Sequence, residues 1–218
     1  MCIRDSLLRR AGFGATFQEL DRYSELGYEA MVEQLLYPEQ QPAIEEDVLE
    51  RYYIDWKESR NAEVALTESV YRMNAYAGGR PLQEKIALFW HQVFATGLAK
   101  VEHEKTMMNQ IDLFREQGLG NFRDLLLGLA KDPAMIFWLD NNFNQKDALN
   151  ENWGRELLEL FSMGAGNYTE EDIKECARAF TGWTLGNAEY MAVRASKDSI
   201  WPYGRISWHI EYLTLIHI

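Results

Sequence analysis

Four polar residues of the segment 151–163 could do chemistry together. At 100° per residue, Asn152, Glu156 and Glu159 share one arc of a helix, and Arg155 lies at the edge of that arc. Converging carboxylates are suited to metal binding or to acid–base catalysis. The alternative is a polar helix face that is solvated or locked to neighbouring helices by ion pairs, which is the usual role of such faces. Di-iron bundles need histidine three residues after glutamate, and no histidine has that spacing here.

A second candidate catalytic residue is His91, which lies in an apolar stretch beside Ala87, Leu88 and Phe94. In a shielded pocket, this imidazole could serve as a general base or a ligand. The alternative is a core histidine whose ring nitrogens bond to a backbone carbonyl or a carboxylate. Both interpretations stay open at the level of the sequence.

An Asn-rich segment has the ligand spacing of a calcium-binding loop. Asp140, Asn142 and Asn144 alternate, and Glu151 comes eleven residues after Asp140. The segment departs from the pattern at its sixth position, where Gln145 replaces the glycine that makes the turn. The alternative is an ordinary Asn-rich turn between helices. Apart from this weak calcium-loop candidate, the residues predict no metal site and no cofactor.

Helical signals dominate the elements that must position these residues. Thr16 and Glu19 form a capping box that opens a helix to about Leu26. Further helices are predicted at 28–36, 44–57 and 63–76, from Pro81 onward, at 105–117, 121–130, 133–139 and 151–163, and from Thr169 to about Phe180. The helix that starts at Pro81 is apolar nearly all round at 86–90, which predicts burial on every side. No alternating strand pair occurs, so the sequence predicts an all-α, truncated bundle of roughly nine or ten helices.

Composition and charge exclude several classes of protein. With 47% hydrophobic residues, the chain can bury a substantial core. The formal net charge of -12, from 34 acidic and 22 basic residues, repels phosphate backbones, and no basic cluster interrupts it. We therefore expect no nucleic-acid partner. No apolar run approaches the roughly 20 residues of a membrane helix, so we also expect no membrane span.

Both ends of the chain resemble sequencing adapter rather than protein. Residues 1–6 can be encoded by ATG TGT ATA AGA GAC AGC and residues 215–218 by CTT ATA CAC ATC. These two strings are reverse complements over ATGTGTATAAG, the transposon end used to prepare sequencing libraries. We therefore expect 1–6 and 213–218 to be adapter artefacts and 7–212 to be the N-terminal part of one helical domain.

Six strings, in order, resemble the bacterial family catalogued as domain of unknown function 1800. They are 7–14 (LLRRAGFG), 89–95 (FWHQVFA), 120–126 (GNFRDLL), 131–135 (KDPAM), 150–161 (NENWGRELLELF) and 177–183 (ARAFTGW). The resemblance covers about the first half of the family's domain. Two positions depart from it. The family often has a second histidine where Val93 stands and usually alanine where Gly154 stands, and glycine costs a helix about 1 kcal/mol relative to alanine.

The resemblance implies a mostly helical and commonly exported protein, often encoded beside a sulfatase-like protein, and it implies no assigned reaction. From it we expect an exported scaffold or interaction protein that acts with a sulfatase-like partner. The alternative is a hydrolytic or metal-assisted enzyme. Its site would join His91 or the Glu156/Glu159 face to residues of the C-terminal half of the domain.

Overall fold

A computed structural model of the chain describes residues 3–42, 73–74, 79–101 and 104–183, with the side chains of 3, 4, 104 and 105 excepted. The predicted helix at 44–57 and nearly all of the one at 63–76 lie outside these residues, as does the end segment 213–218. The other end segment, 1–6, overlaps the first helix, which begins at Ile3. The adapter interpretation of both ends stays a prediction.

The described residues form helices and the turns that join them, with no strand among them and one isolated bridge between Gln145 and Ala148. This confirms the all-α prediction. Numbered through the described residues, the α-helices are α1 (Ile3–Ala11), α2 (Phe17–Leu26), α3 (Tyr28–Leu36), α4 (Pro81–Val93), α5 (Leu98–Val101), α6 (Glu104–Gln117), α7 (Phe122–Leu129), α8 (Pro133–Trp138), α9 (Asn152–Glu156) and α10 (Glu170–Ala179). Single 3-10 turns lie at Pro38–Gln40 and Asn141–Phe143. None of the described helices is long and apolar enough to cross a membrane.

Local capping explains where several helices begin. The Thr16 side chain accepts from the backbone N–H of Glu19, whose carboxylate accepts from the Thr16 N–H in return, so the predicted capping box is confirmed. Thr169 and Asp172 form the same box at the start of α10. Asp132 is the N-cap residue of α8, and its carboxylate accepts a hydrogen bond from the backbone N–H of Met135.

The chain divides into two compact units, of which the first comprises Met1–Gln92 and Ile111–Leu125. One apolar cluster of this unit joins α1, α2 and α3 through the buried side chains of Leu8, Tyr23, Met31 and Leu35. The start of α4 packs closely on the end of α1, because a Cβ added at Gly12 would lie 2.8 Å from Cβ of Pro81. Lys85 of α4 donates to the carbonyls of Arg9 and Gly12, so it caps the C-terminus of α1.

The second unit comprises Val93–Gln110 and Leu126–Ile218. Val101, Met107 and Ala134 form one of its buried clusters. Elsewhere in the unit, Trp153 of α9 is 2% exposed and packs against the rings of Phe161 and Phe180. The prediction of a single domain over 7–212 stays a prediction.

Two expectations about burial are wrong. The helix α4 is not buried all round, because Leu88, Phe89 and Val93 are exposed while Glu84 is buried. The physical reason is that Glu84 has a cationic partner in the first unit, so its side of the helix faces inward and part of the apolar side faces solvent.

The second error concerns the helix predicted at 151–163. At 100° per residue, Trp153, Leu157, Leu160 and Phe161 share one arc, which predicts the core face, but Leu160 is 65% exposed. After α9 the chain continues as a π-helix over Leu157–Ser162, in which the N–H of Met163 bonds to the carbonyl of Leu158, five residues earlier. The wider turn changes the rotation per residue, so Trp153 and Phe161 stay buried while Leu160 turns outward.

Candidate functional site

The predicted polar face of 151–163 forms a set of contacts in the second unit. Arg155 makes two hydrogen bonds to the carboxylate of Glu170, at 3.1 and 2.8 Å, and lies 3.5 Å from Glu151. This fork ties α9 to the first turn of α10. The hydrogen bonds to Glu170 raise the pKa of Arg155 above its ordinary value, and the same bonds lower the pKa of Glu170.

The two glutamates of this face lie at the junction between α9 and the π-helix. Partial burial, followed by the charge of Glu159, raises the pKa of Glu156, while the charge of Arg155 opposes the shift. Glu159 accepts a hydrogen bond of 2.9 Å from the hydroxyl of Tyr168. Two neighbouring carboxyl groups, one of which has a raised pKa, are an arrangement that acid–base catalysis uses. The structure therefore brings Arg155, Glu156 and Glu159 together, and adds Tyr168, which the sequence analysis missed.

Asn152 has a structural role at its backbone. Its N–H donates to the side-chain oxygen of Asn150 at 3.0 Å, which helps to start α9.

Gly154, two residues later, is buried, and an added Cβ would lie 3.0 Å from both the N atom of Ala177 and the O atom of Ile173. The glycine thus lets α9 approach the backbone of α10. The expectation that it only weakens the helix overlooked this contact.

His91 belongs to the first unit, whereas the 151–163 face belongs to the second. Its Nδ1 atom is buried without a hydrogen-bond partner among the described residues, and its ring centroid is 6.2 Å from that of Phe114. Burial lowers the pKa of His91, so the imidazole is neutral near pH 7. One nitrogen of a neutral imidazole is a donor and the other an acceptor, so the unpartnered Nδ1 atom can form a hydrogen bond to a ligand in either tautomer.

The residues of the calcium-loop candidate make other contacts. Asp140 has a left-handed backbone conformation, with φ at 59°, and its carboxylate accepts from Lys100 at 2.9 Å. The Asn144 side chain donates to the carbonyl of Ala177 and accepts from the N–H of Asn150. Glu151, the last predicted ligand, faces Arg155 instead.

Asn142 is the exception in this loop, because its side-chain oxygen is buried without a partner among the described residues. Nowhere among the described residues do three or more His, Cys, Asp or Glu side chains lie together in a way that could hold a metal ion. The calcium site stays a prediction.

Sequence reasoning missed a buried ion pair in the first unit. The guanidinium of Arg115 donates to both oxygens of Glu84, at 2.7 and 2.9 Å, and to Asp112 at 2.6 Å. Burial lowers the pKa of Arg115, but its bonds to the two carboxylates outweigh burial and raise it. The only signal in the sequence was the spacing of Asp112 and Arg115, since the contact to Glu84 spans 31 residues.

A family model described as "Protein of unknown function (DUF1800)" matches residues 6–201, which is most of the chain. No curated protein and no solved structure matches the chain. The match agrees with the resemblance carried by the six strings and assigns no reaction.

Proposed function

The chain belongs to DUF1800, a family of proteins of unknown function, and we propose that it is an exported helical scaffold that binds a partner protein. The partner we propose is the sulfatase-like protein that the family resemblance suggests. The observation that carries the proposal is that Arg155 forms ion pairs with Glu170 and Glu151 and so links α9 to α10. A charged residue consumed in this way favours an architectural role over a catalytic one.

Exposed aromatic side chains in the first unit support the same proposal. Phe89 is 50% exposed and Phe122 is 44% exposed. Both rings pack on the indole of Trp90, with centroids 5.0 and 5.6 Å from it, so they are held in place before any partner arrives. Rigid, exposed aromatic groups are common anchors in protein interfaces.

The test is to co-express the chain with a sulfatase-like protein and to measure the dissociation constant by calorimetry. We expect binding that weakens at least tenfold in the variant F89S/F122S. Phe17→Ser is the matched control, because Phe17 is 87% exposed on α2 and should leave binding unchanged. An absence of binding would refute the partner, and equal binding by F89S/F122S would refute the surface.

The second candidate function is a hydrolytic or metal-assisted enzyme whose site includes residues beyond those described. The raised pKa of Glu156 beside Glu159 favours it, because a raised pKa makes a carboxyl group better suited to donate a proton in acid–base catalysis. The assay is turnover of chromogenic carboxyl, phosphate and sulfate esters. Activity that Glu156→Gln removes and the exposed Glu171→Gln keeps would establish the enzyme. No turnover of any ester by the wild-type chain would count against it.

A further inference from the structure

The π-helix over Leu157–Ser162 places two apolar side chains on the surface of the second unit. Leu160 is 65% exposed, and Met163, which directly follows the π-helix, is 49% exposed. The wide turn is closed by a backbone hydrogen bond of 2.9 Å from the N–H of Met163 to the carbonyl of Leu158. In α-helical geometry, Leu160 would instead share the arc of the buried Trp153. The exposure of Leu160 is therefore a property of the backbone and not of a loose side chain.

Two carboxylates accompany these apolar groups. Glu156 comes four residues before Leu160, and Glu159 directly precedes it. The two carboxylates act on each other, because the charge of Glu159 contributes to the raised pKa of Glu156. The helix also ends beside them, and the carbonyls at a helix C-terminus carry a partial negative charge. The side chains of Glu156, Glu159, Leu160 and Met163 are termed the Leu160 surface, which is apolar and negatively charged.

The cations of this part of the chain are paired elsewhere. Between residues 151 and 180, the sequence has seven acidic and three basic residues. Arg155 binds the carboxylate of Glu170 at 2.8 Å. The other two cations, Lys174 and Arg178, lie 3.8 and 3.1 Å from glutamates of their own helix, α10. All three cations thus have a carboxylate partner outside the Leu160 surface, which keeps its negative charge.

We propose that the Leu160 surface is the docking site of a basic amphipathic segment of another protein, in which apolar side chains alternate with lysine or arginine at helical spacing. The apolar side chains of this segment cover Leu160 and Met163, and its cations face Glu156, Glu159 and the carbonyls at the end of the π-helix. Methionine suits such a surface, because its unbranched side chain adapts to the shape of a partner.

The charge of the Leu160 surface disfavours the other occupants of an apolar patch. A second copy of this chain would bring like carboxylates together across the interface, which is repulsive. Anionic membranes and nucleic acids are repelled in the same way. A basic polypeptide is the occupant for which both the apolar and the charged contacts are favourable. The inference does not depend on the proposed function, because Phe89 and Phe122 belong to the first unit and the Leu160 surface belongs to the second.

The test is fluorescence anisotropy on the whole chain with a labelled peptide of about 14 residues, built from leucine and lysine at helical spacing. We expect this peptide to bind at least tenfold more tightly than a matched peptide in which glutamate replaces lysine. Leu160→Ser should weaken binding of the lysine peptide at least tenfold, and the exposure of Leu160 lets the variant keep its fold. The matched control is Leu36→Ser on α3, which is 50% exposed and should bind as the wild type does.

A pair of charge variants separates this surface from the general attraction between a basic peptide and an acidic chain. Glu159→Gln should weaken binding of the lysine peptide about threefold, since a single exposed charge pair contributes modestly. The glutamine oxygen can still accept from the hydroxyl of Tyr168, so the local structure is kept. Glu33→Gln removes the same charge from an exposed position on α3 and should leave binding unchanged.

Equal binding of the lysine peptide by the wild-type chain and by Leu160→Ser would overturn the proposal. Equal affinity of the wild-type chain for the lysine and glutamate peptides, or no binding of either, would overturn it as well. Sedimentation of the wild-type chain adds a further check. A dimer that Leu160→Ser converts to a monomer would show that a second copy covers the surface, against the proposal, whereas a monomer that binds the lysine peptide through Leu160 and Glu159 supports it.

Discussion

The buried pair of Glu84 and Arg115 makes a strong prediction about stability. Their side chains are 2% and 7% exposed, so neither charge is well hydrated if its partner is removed. Glu84→Leu deletes both acceptors and leaves the guanidinium with Asp112, whose side chain is 34% exposed. We expect a loss of about 3 kcal/mol in the free energy of unfolding, at the lower end of the roughly 3–5 kcal/mol that breaking a buried pair costs, because Asp112 still pairs with the guanidinium.

A second substitution should reverse most of that loss. Glu84→Leu combined with Arg115→Met removes the stranded charge and fills the space with apolar side chains, which is often neutral or stabilising by about 1–4 kcal/mol relative to the ion pair. Urea unfolding followed by tryptophan fluorescence gives the free energies.

The matched control for the buried pair is an exposed one. Glu175→Leu breaks the contact with Arg178, whose side chains are 55% and 61% exposed, and should change stability by less than about 1 kcal/mol. The reasoning would be refuted if Glu84→Leu cost no more than this control, or if the double substitution were as unstable as the single one.

Three further predictions concern the second unit. Gly154→Ala should lower the free energy of unfolding by about 1 kcal/mol in urea, since the close contact of the added methyl group with the backbone of α10 outweighs the gain in helix propensity. A variant more stable than the wild type would contradict this. Calorimetric titration with millimolar calcium should give no heat, because Lys100 occupies the carboxylate of Asp140, and measurable binding would restore the loop as a site. Arg155→Glu and Glu170→Arg should each lower the free energy of unfolding by less than about 1 kcal/mol, and the double variant should restore it. A double variant that stays destabilised would show a further role for Arg155.

Local signals in the sequence predicted much of the fold. The capping box at Thr16 involves residues three apart, so its geometry can be read from the chain, and it is confirmed, as is the predicted start of a helix at Thr169. The helix Tyr28–Leu36 was predicted with the bounds that it has, between Gly27 and a proline. Such features depend on neighbours in sequence, which is why periodicity and caps find them.

The candidate site was less predictable because it depends on distant partners and on irregular geometry. The fork from Arg155 reaches Glu170 across 15 residues, and nothing in the sequence selects that glutamate over its neighbours. The π-helix over Leu157–Ser162 breaks the 100° rotation on which the helical wheel was based. The helical wheel therefore placed Glu156 and Glu159 near each other, where their charges interact, but it misplaced Leu160.

The strings that carry the family resemblance are largely occupied in building the fold. In the first string, Gly12 packs on Pro81 and its carbonyl accepts from Lys85. In the fifth, Gly154 admits the backbone of α10. Packing alone accounts for these two glycines, whatever the protein binds. The function is therefore better sought among side chains that these contacts do not use, such as His91, whose Nδ1 atom has no hydrogen-bond partner among the described residues, and the exposed ring of Phe89.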